Sequence, residues 1–426
     1  MKYLKNIIII VFFSFAYCKA ECIGDVNSDY RVDQNDLINI SNYLLGMNDS
    51  MDFLINYADI DFNNNLDIFD LFGIALEIEV SQGEWCELQP VNLSSEWQEQ
   101  EDSSYYDHQL LQSILNEDIS ALSDIRGIII VHRGRVVGEK YYNGSYSNQQ
   151  FNVWSVTKSF ISALIGQTIE LGYLDNQTLM LGEIFYENNY TNQVSVEHLL
   201  TMSSGWPENW YYTNTNNILN ILLSTPLANN PGNYFFYNNA ACHLNSYLIN
   251  AVTDLNPKEF AMENLFSQLG IDNPIWGLDA DGVNNGSYDL FLTLKEMVKL
   301  GQLYLQNGVS GEIPPNQIVS SLWIEESTSN QINTGWGDGY GYLWWLPGKG
   351  YAAIGLGGQL IIIIPEAQLV IGTHSYTFSS DNYFNNLSSI LYTMVVPIFD
   401  LTDTNNRDQD IIINMNRIGT LINTNK

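Results

Sequence analysis

"VWSVTKSF" occupies residues 153–160 and sets a serine three positions ahead of a lysine inside an apolar run. Burying an ammonium without partners is expensive, so Lys158 needs a reason to be there. Among the lysines of this chain it alone has a serine at that spacing. On a helix, residues three apart share a face, which brings Ser155 and Lys158 within reach of each other. A serine hydroxyl is a poor nucleophile until a neighbouring base takes its proton, and a lysine desolvated by apolar walls has its pKa lowered toward that task. A serine at a helix start also offers its own N–H to a developing oxyanion. Taken alone, the same residues also fit a helix-starting serine beside a lysine whose stem covers apolar surface.

Working outward, "HLLTMSSGW" (198–206), "FFYNNAACHLNSYLI" (235–249) and "GYLWWL" with "YAAIGLGGQLIIIIPE" (341–366) follow in order. With "VWSVTKSF", these motifs resemble the serine β-lactamase-like family, which includes class C β-lactamases, D-alanyl-D-alanine peptidases, esterases and 6-aminohexanoate-oligomer hydrolases. The resemblance covers about 110–398. It implies an α+β fold, with an antiparallel sheet flanked by helices plus an all-helical region. It also implies that Ser155 is the nucleophile, Lys158 the general base or its partner, Tyr237 a proton relay, and Asn239 a partner of lysine and substrate.

At its third motif the sequence departs from that family. The strand that usually carries Lys-Thr-Gly or His-Thr-Gly reads "AIGLGGQ" (353–359), which keeps glycines without a lysine or histidine. Matching by position puts Gly355 at the motif glycine and the Leu356 N–H at the second oxyanion donor, with Gly355 and Gly357 lining the substrate. A slip of one or two residues toward Gly358 and Gln359 stays open. In the family, the missing cation grips a substrate carboxylate, whereas oxyanion donation by backbone N–H groups does not need it. The expected substrate is therefore a small or polymer-borne ester or amide lacking a carboxylate at that position. The alternatives are a β-lactamase or D-alanyl-D-alanine carboxypeptidase, and a non-catalytic binding protein of the same fold.

Residues 22–86 hold an internal duplication. "DVNSDYRVDQND" (25–36) and "DIDFNNNLDIFD" (59–70) place oxygen ligands at loop positions 1, 3, 5, 9 and 12. These are Asp25, Asn27, Asp29, Asp33 and Asp36 in the first loop, and Asp59, Asp61, Asn63, Asp67 and Asp70 in the second. Arg31 and Asn65 at position 7 would add backbone carbonyls. This is the spacing at which a wound loop collects oxygens around calcium, and a helix-like run follows each loop. The segment resembles a dockerin, which implies a small α-helical module with two structural calcium ions and a cohesin-like protein partner. Tyr30 and Asn64 stand where such loops usually carry glycine; tyrosine tolerates the left-handed conformation poorly, so the first site is expected to bind more weakly.

The remaining features bound the setting. Residues 1–20 read as a secretory signal peptide, with Lys2 and Lys5 ahead of a short apolar run and Ala20 at the cleavage position. No run reaches the roughly 18 apolar residues a membrane helix requires. Export to a secreted, periplasmic or cell-surface location is expected, and it permits a disulfide between Cys22 and Cys86. Cys242 reads as a buried inert thiol. With 16 basic against 48 acidic residues the formal charge is −32, which excludes nucleic acid and anionic membrane surfaces as partners. The histidines show no metal spacing, and His198 and His243 read as structural. No Gly-x-Ser-x-Gly elbow occurs. The expected organisation is a calcium-binding domain over 21–88, a linker over 89–100, a hydrolase domain over 101–400 and a polar tail over 401–426.

Overall fold

The computed structural model describes residues 34–45, 68–81, 90–99, 106–208, 212–311, 316–376, 378, 380–399 and 408–424. The chain divides into two compact units, Met1–Gln89 and Pro90–Lys426. Among the described residues no helix is long and apolar enough to cross a membrane.

In the first unit two helices pack together, α1 (Gln34–Leu44) and α2 (Ile68–Ser81). Each follows one of the duplicated acidic loops. Ile40 and Ile74, which occupy equivalent places in the repeat, are both fully buried. The signal peptide, the Cys22 and Cys86 pair and both acidic loops before Gln34 and Ile68 lie outside the described residues.

In the second unit the polypeptide builds a seven-stranded antiparallel sheet from its two ends. The strands are β1 (Ile125–His132), β2 (Arg135–Tyr141), β3 (Gly339–Tyr340), β4 (Trp345–Leu346), β5 (Tyr351–Gly355), β6 (Gln359–Ile364) and β7 (Leu369–Ser375), in the order β2-β1-β7-β6-β5-β4-β3. A two-residue turn joins β1 to β2, with Arg133 at φ 55° and Gly134 at φ 76°. Two positive φ values in succession match the right-handed twist of a hairpin, and glycine takes the second at no steric cost. Every residue of β6 is buried, so "QLIIII" lacks polar alternation because helices cover both faces. One cover is α6 (Leu294–Leu305), which packs on β1, β6 and β7, while α3 (His108–Asn116) packs on β2.

Between the two halves of the sheet the chain forms the helical region. Its central element is α4 (Thr157–Glu170), buried from Thr157 through Thr168 and packed on α5 (Asn239–Thr253). Gly172, at φ 76°, follows the end of α4 as its left-handed cap. A helix buried on every side belongs inside a domain, and here it anchors the "VWSVTKSF" turn to the core.

Two segments differ from their sequence expectation. Residues 90–99, read as linker, belong to the second unit: Leu93 is buried and donates its N–H to Ser310 Oγ, the Trp97 indole donates to the Lys295 carbonyl, and Glu99 bridges to Val136. Polar composition hid a segment held by backbone and side-chain hydrogen bonds rather than by a continuous apolar face. The segment read as a polar tail contains α8 (Asp408–Thr424), which packs on α7 (Asp381–Ile390) and buries Ile411, Met415, Ile418 and Ile422. Those four recur at helical spacing, which outweighs the asparagine content.

Candidate active site

Ser155 lies in a 3-10 turn, Trp154–Val156, that leads into α4. Trp154 has φ 50°, a left-handed conformation that costs a bulky residue on the order of 1 kcal/mol. Lys158 is one turn further on, and its Nζ donates to Ser155 Oγ at 2.9 Å, Asn239 Oδ1 at 2.8 Å and the Ser287 carbonyl at 2.8 Å. The side chain is 2% exposed. Burial lowers its pKa to about 8, with Cys242 and Glu208 pulling it back up.

The three partners differ in what they can do. The Asn239 and Ser287 oxygens accept hydrogen bonds and cannot donate, whereas the serine hydroxyl can do either. An ammonium satisfies all three by donating. A neutral amine has two N–H bonds and one lone pair. With its N–H bonds engaged by the two carbonyl oxygens, the lone pair faces Ser155. The pocket thus points the only basic electrons of Lys158 at the serine proton.

Tyr237 supplies the third functional group. Its ring lies 5.0 Å from Lys158 Nζ and stacks on Trp345 with centroids 5.8 Å apart at 22°. Its hydroxyl is buried without a hydrogen-bond partner among the described residues. Burial pushes its pKa well up, and Ser155 offsets part of that effect. The contact between the two hydroxyls is near enough for this influence but does not reach hydrogen-bond geometry. A phenol held protonated at neutral pH can donate a proton, whereas Lys158, whose pKa lies far closer to neutrality, is chemically able to accept one.

Asn239 opens α5. Asn238 caps that helix by accepting the Ala241 N–H, and Glu208 accepts the Asn239 N–H at 2.8 Å and the Ala240 N–H at 3.3 Å. A carboxylate over the positive end of a 15-residue helix is favourable and fixes Asn239 against Lys158. Its charge is also felt at Lys158, Tyr237 and Cys242.

Gly355 ends β5 directly beside the serine turn. A Cβ there would lie 2.4 Å from the Val153 carbonyl oxygen and 3.3 Å from the Ser155 nitrogen, so only glycine lets the two backbones approach so closely. The next residues, Leu356 and Gly357, form the turn into β6. Gly358 and Gln359, the residues of the alternative register, make contacts of their own. A Cβ on Gly358 would meet Ser375 Oγ, Leu387 and Tyr383. The Gln359 side chain donates to the Ser375 carbonyl at 2.7 Å and accepts the Ser375 N–H at 3.2 Å.

The structure therefore brings Ser155, Lys158, Tyr237, Asn239 and Gly355 together. Of the expected calcium ligands, Asp36 and Asp70 are described, both fully buried in the first turn of their helices. Asp25, Asn27, Asp29, Arg31, Asp33, Asp59, Asp61, Asn63, Asn65 and Asp67 lie outside the described residues. Among the described residues no cluster of three or more His, Cys, Asp or Glu side chains could hold a metal. Cys242 is a buried free thiol, and His243 has both ring nitrogens hydrogen-bonded. Sequence reading missed Ser287, whose contribution is a backbone carbonyl without residue-type signature, and Glu208, which precedes Asn239 by 31 residues.

Comparison with known proteins follows this geometry. The family described as Beta-lactamase matches residues 115–387. A putative 6-aminohexanoate-dimer hydrolase from Bacillus anthracis superposes with a TM-score of 0.60 at 20% identity, over 73% of this chain and 89% of that one. A penicillin binding protein from Bacillus halodurans gives 0.54 at 16% identity, over 66% and 98%. EstCE1, a hydrolase with promiscuous acyltransferase activity, gives 0.50 at 15% identity, over 65% and 94%. At these identities the solved structures speak for the fold alone.

Proposed function

Because the chain belongs to the Beta-lactamase family, we propose that it is a serine hydrolase that forms an acyl-enzyme at Ser155 and acts on esters or amides. The observation that carries this reading is the Lys158 pocket, where two accept-only oxygens leave the amine lone pair facing Ser155. Neutral Lys158 takes the Ser155 proton as Oγ bonds to the substrate carbonyl carbon. The Ser155 and Leu356 N–H groups receive the oxyanion. Collapse breaks the bond to the leaving group, which takes a proton through Tyr237, and Lys158 returns the balance. Water then repeats the sequence on the acyl-enzyme.

Substrates without a carboxylate fit best. The 353–359 stretch offers no lysine or histidine, and Glu208 adds negative charge at the start of α5. Like charge within a few ångströms of a partly desolvated site disfavours an anionic substrate. A fluorophosphonate probe, short-chain chromogenic esters and a chromogenic cephalosporin, each beside Ser155→Ala, test the reading. We expect labelling and ester hydrolysis that vanish in the variant, without cephalosporin turnover. Rapid cephalosporin hydrolysis makes it a β-lactamase instead, and no labelling makes it a binding protein.

For the first unit, the reading is an exported, dockerin-like module holding two calcium ions and docking a cohesin-like partner. Its support is the duplicated acidic loop, with Asp36 and Asp70 buried at equivalent places of the repeat. The two loops would hold the ions, whose contribution is to fold them. Calorimetric titration with calcium should show two sites, the second tighter; no heat and no gain in helicity contradicts it.

A further inference from the structure

Lys158 depends on the Ser287 carbonyl, and the residues that hold this carbonyl form a connected buried network. Ser287 Oγ donates to the Asn239 carbonyl at 2.7 Å and its N–H donates to Asn285 Oδ1 at 2.9 Å. The preceding Gly286 N–H donates to His243 Nδ1 at 3.0 Å, and His243 Nε2 meets Asp279 Oδ2 at 2.9 Å. Both side chains of that pair are fully buried. Tyr247 Oη donates to the same Asp279 oxygen at 2.6 Å. The other oxygen, Oδ1, accepts the Asp281 N–H at 3.0 Å and the Val283 N–H at 2.8 Å.

This wiring fixes a tautomer. A backbone N–H can only donate, so His243 Nδ1 must accept and the ring proton sits on Nε2, facing the carboxylate. We propose that Asp279 and His243 are positioning residues for the acyl-transfer site: they lock Gly286, and through it the Ser287 carbonyl, so that the Lys158 lone pair is directed at Ser155. The inference rests on the reading of Ser155 as nucleophile and Lys158 as base. It extends the site one layer outward, to a pair that touches no reacting atom.

Asp279→Asn tests it with little change in shape. The amide oxygen must face the Asp281 and Val283 N–H groups, because an NH2 there would oppose two fixed donors. That puts the NH2 at the Oδ2 position against His243 Nε2. The ring proton then has to move to Nδ1, where it opposes the Gly286 N–H and loosens the Ser287 carbonyl. Tyr247→Phe is the matched control, since it removes a hydrogen bond from the same carboxylate without touching the tautomer.

The readout is fluorophosphonate labelling of Ser155, separated into limiting rate and half-saturating probe concentration. Asp279→Asn should lower the limiting rate by about tenfold to a hundredfold with half-saturation unchanged, as expected for a misplaced group. Tyr247→Phe should lower the melting temperature and leave the limiting rate within about twofold. Equal limiting rates in folded Asp279→Asn and wild type overturn the proposal, as does a Tyr247→Phe rate that falls equally. Should Asp279→Asn not fold, nitrogen-15 NMR of the wild-type ring decides: a proton on Nε2 of His243 supports the proposal and one on Nδ1 overturns it. Absence of labelling in wild type would instead remove the acyl-enzyme reading itself.

Discussion

Lys158 and Lys299 are both buried lysines of the second unit, and they do opposite things. Lys299, on α6, donates to the Leu269 carbonyl at 2.8 Å and the Ser95 carbonyl at 3.2 Å. Burial lowers its pKa, while Glu96, Glu296 and Asp272 pull it back up. Lys158 has one backbone carbonyl and one side-chain amide oxygen, a third partner that is a hydroxyl, and a pKa lowered to about 8. Burial and carbonyl partners are therefore common to both. The difference lies in the hydroxyl, which gives a deprotonated lysine something to accept from, and in the surrounding charge. Lys299 is a tie that fastens the 90–99 segment to the domain; Lys158 is the base of the proposed reaction.

Removing each amine should separate these roles. Lys158→Met is expected to lower the limiting rate of fluorophosphonate labelling by about a thousandfold or more, as loss of a general base does. Lys299→Met should leave that rate within about twofold but cost on the order of 2 kcal/mol in denaturant unfolding, because it strands two carbonyl oxygens. Equal labelling losses in the two variants would erase the distinction.

The pH dependence of stability sharpens the comparison. Lys158 has a folded pKa near 8 against the usual 10.5, so between those values the unfolded chain holds a proton that the folded chain lacks. Stability from this group is full above 10.5 and lost as pH falls toward 8. The stability of wild type relative to Lys158→Met should therefore rise by about 3 kcal/mol between pH 8 and 10.5. A flat difference would mean that the lysine is not desolvated.

Tyr237→Phe keeps the Trp345 stack and removes the hydroxyl, so ester hydrolysis should fall by about a hundredfold, most for poor leaving groups that need the proton. Glu208→Gln gives the smallest effect. Because Glu208 raises the Lys158 pKa, its removal should shift the labelling midpoint to lower pH by less than one unit. A shift upward would contradict the assigned electrostatics.

What could be read from sequence follows the chemistry that carries each feature. Ser155 and Lys158 stand out by their spacing, whereas Tyr237 and Asn239 are reached through the family resemblance. Ser287 acts through a carbonyl that any residue would present, and Glu208 through a helix end whose position depends on the fold. His243 reads as structural in its apolar run, and its partner Asp279 lies 36 residues away in sequence. The helix over 408–424 was legible in the spacing of Ile411, Met415, Ile418 and Ile422, but asparagine-rich composition masked it. Residues 90–99 had no periodic signal, since their attachment is by hydrogen bonds to distant residues.

The most direct test of the account is the pH profile of the limiting labelling rate at Ser155 in the wild-type protein. The neutral amine is the active form, so the rate should rise with pH through a single midpoint near 8. A rate independent of pH between about 6 and 10, or a midpoint near that of an ordinary exposed lysine at about 10.4, would contradict Lys158 as the desolvated base.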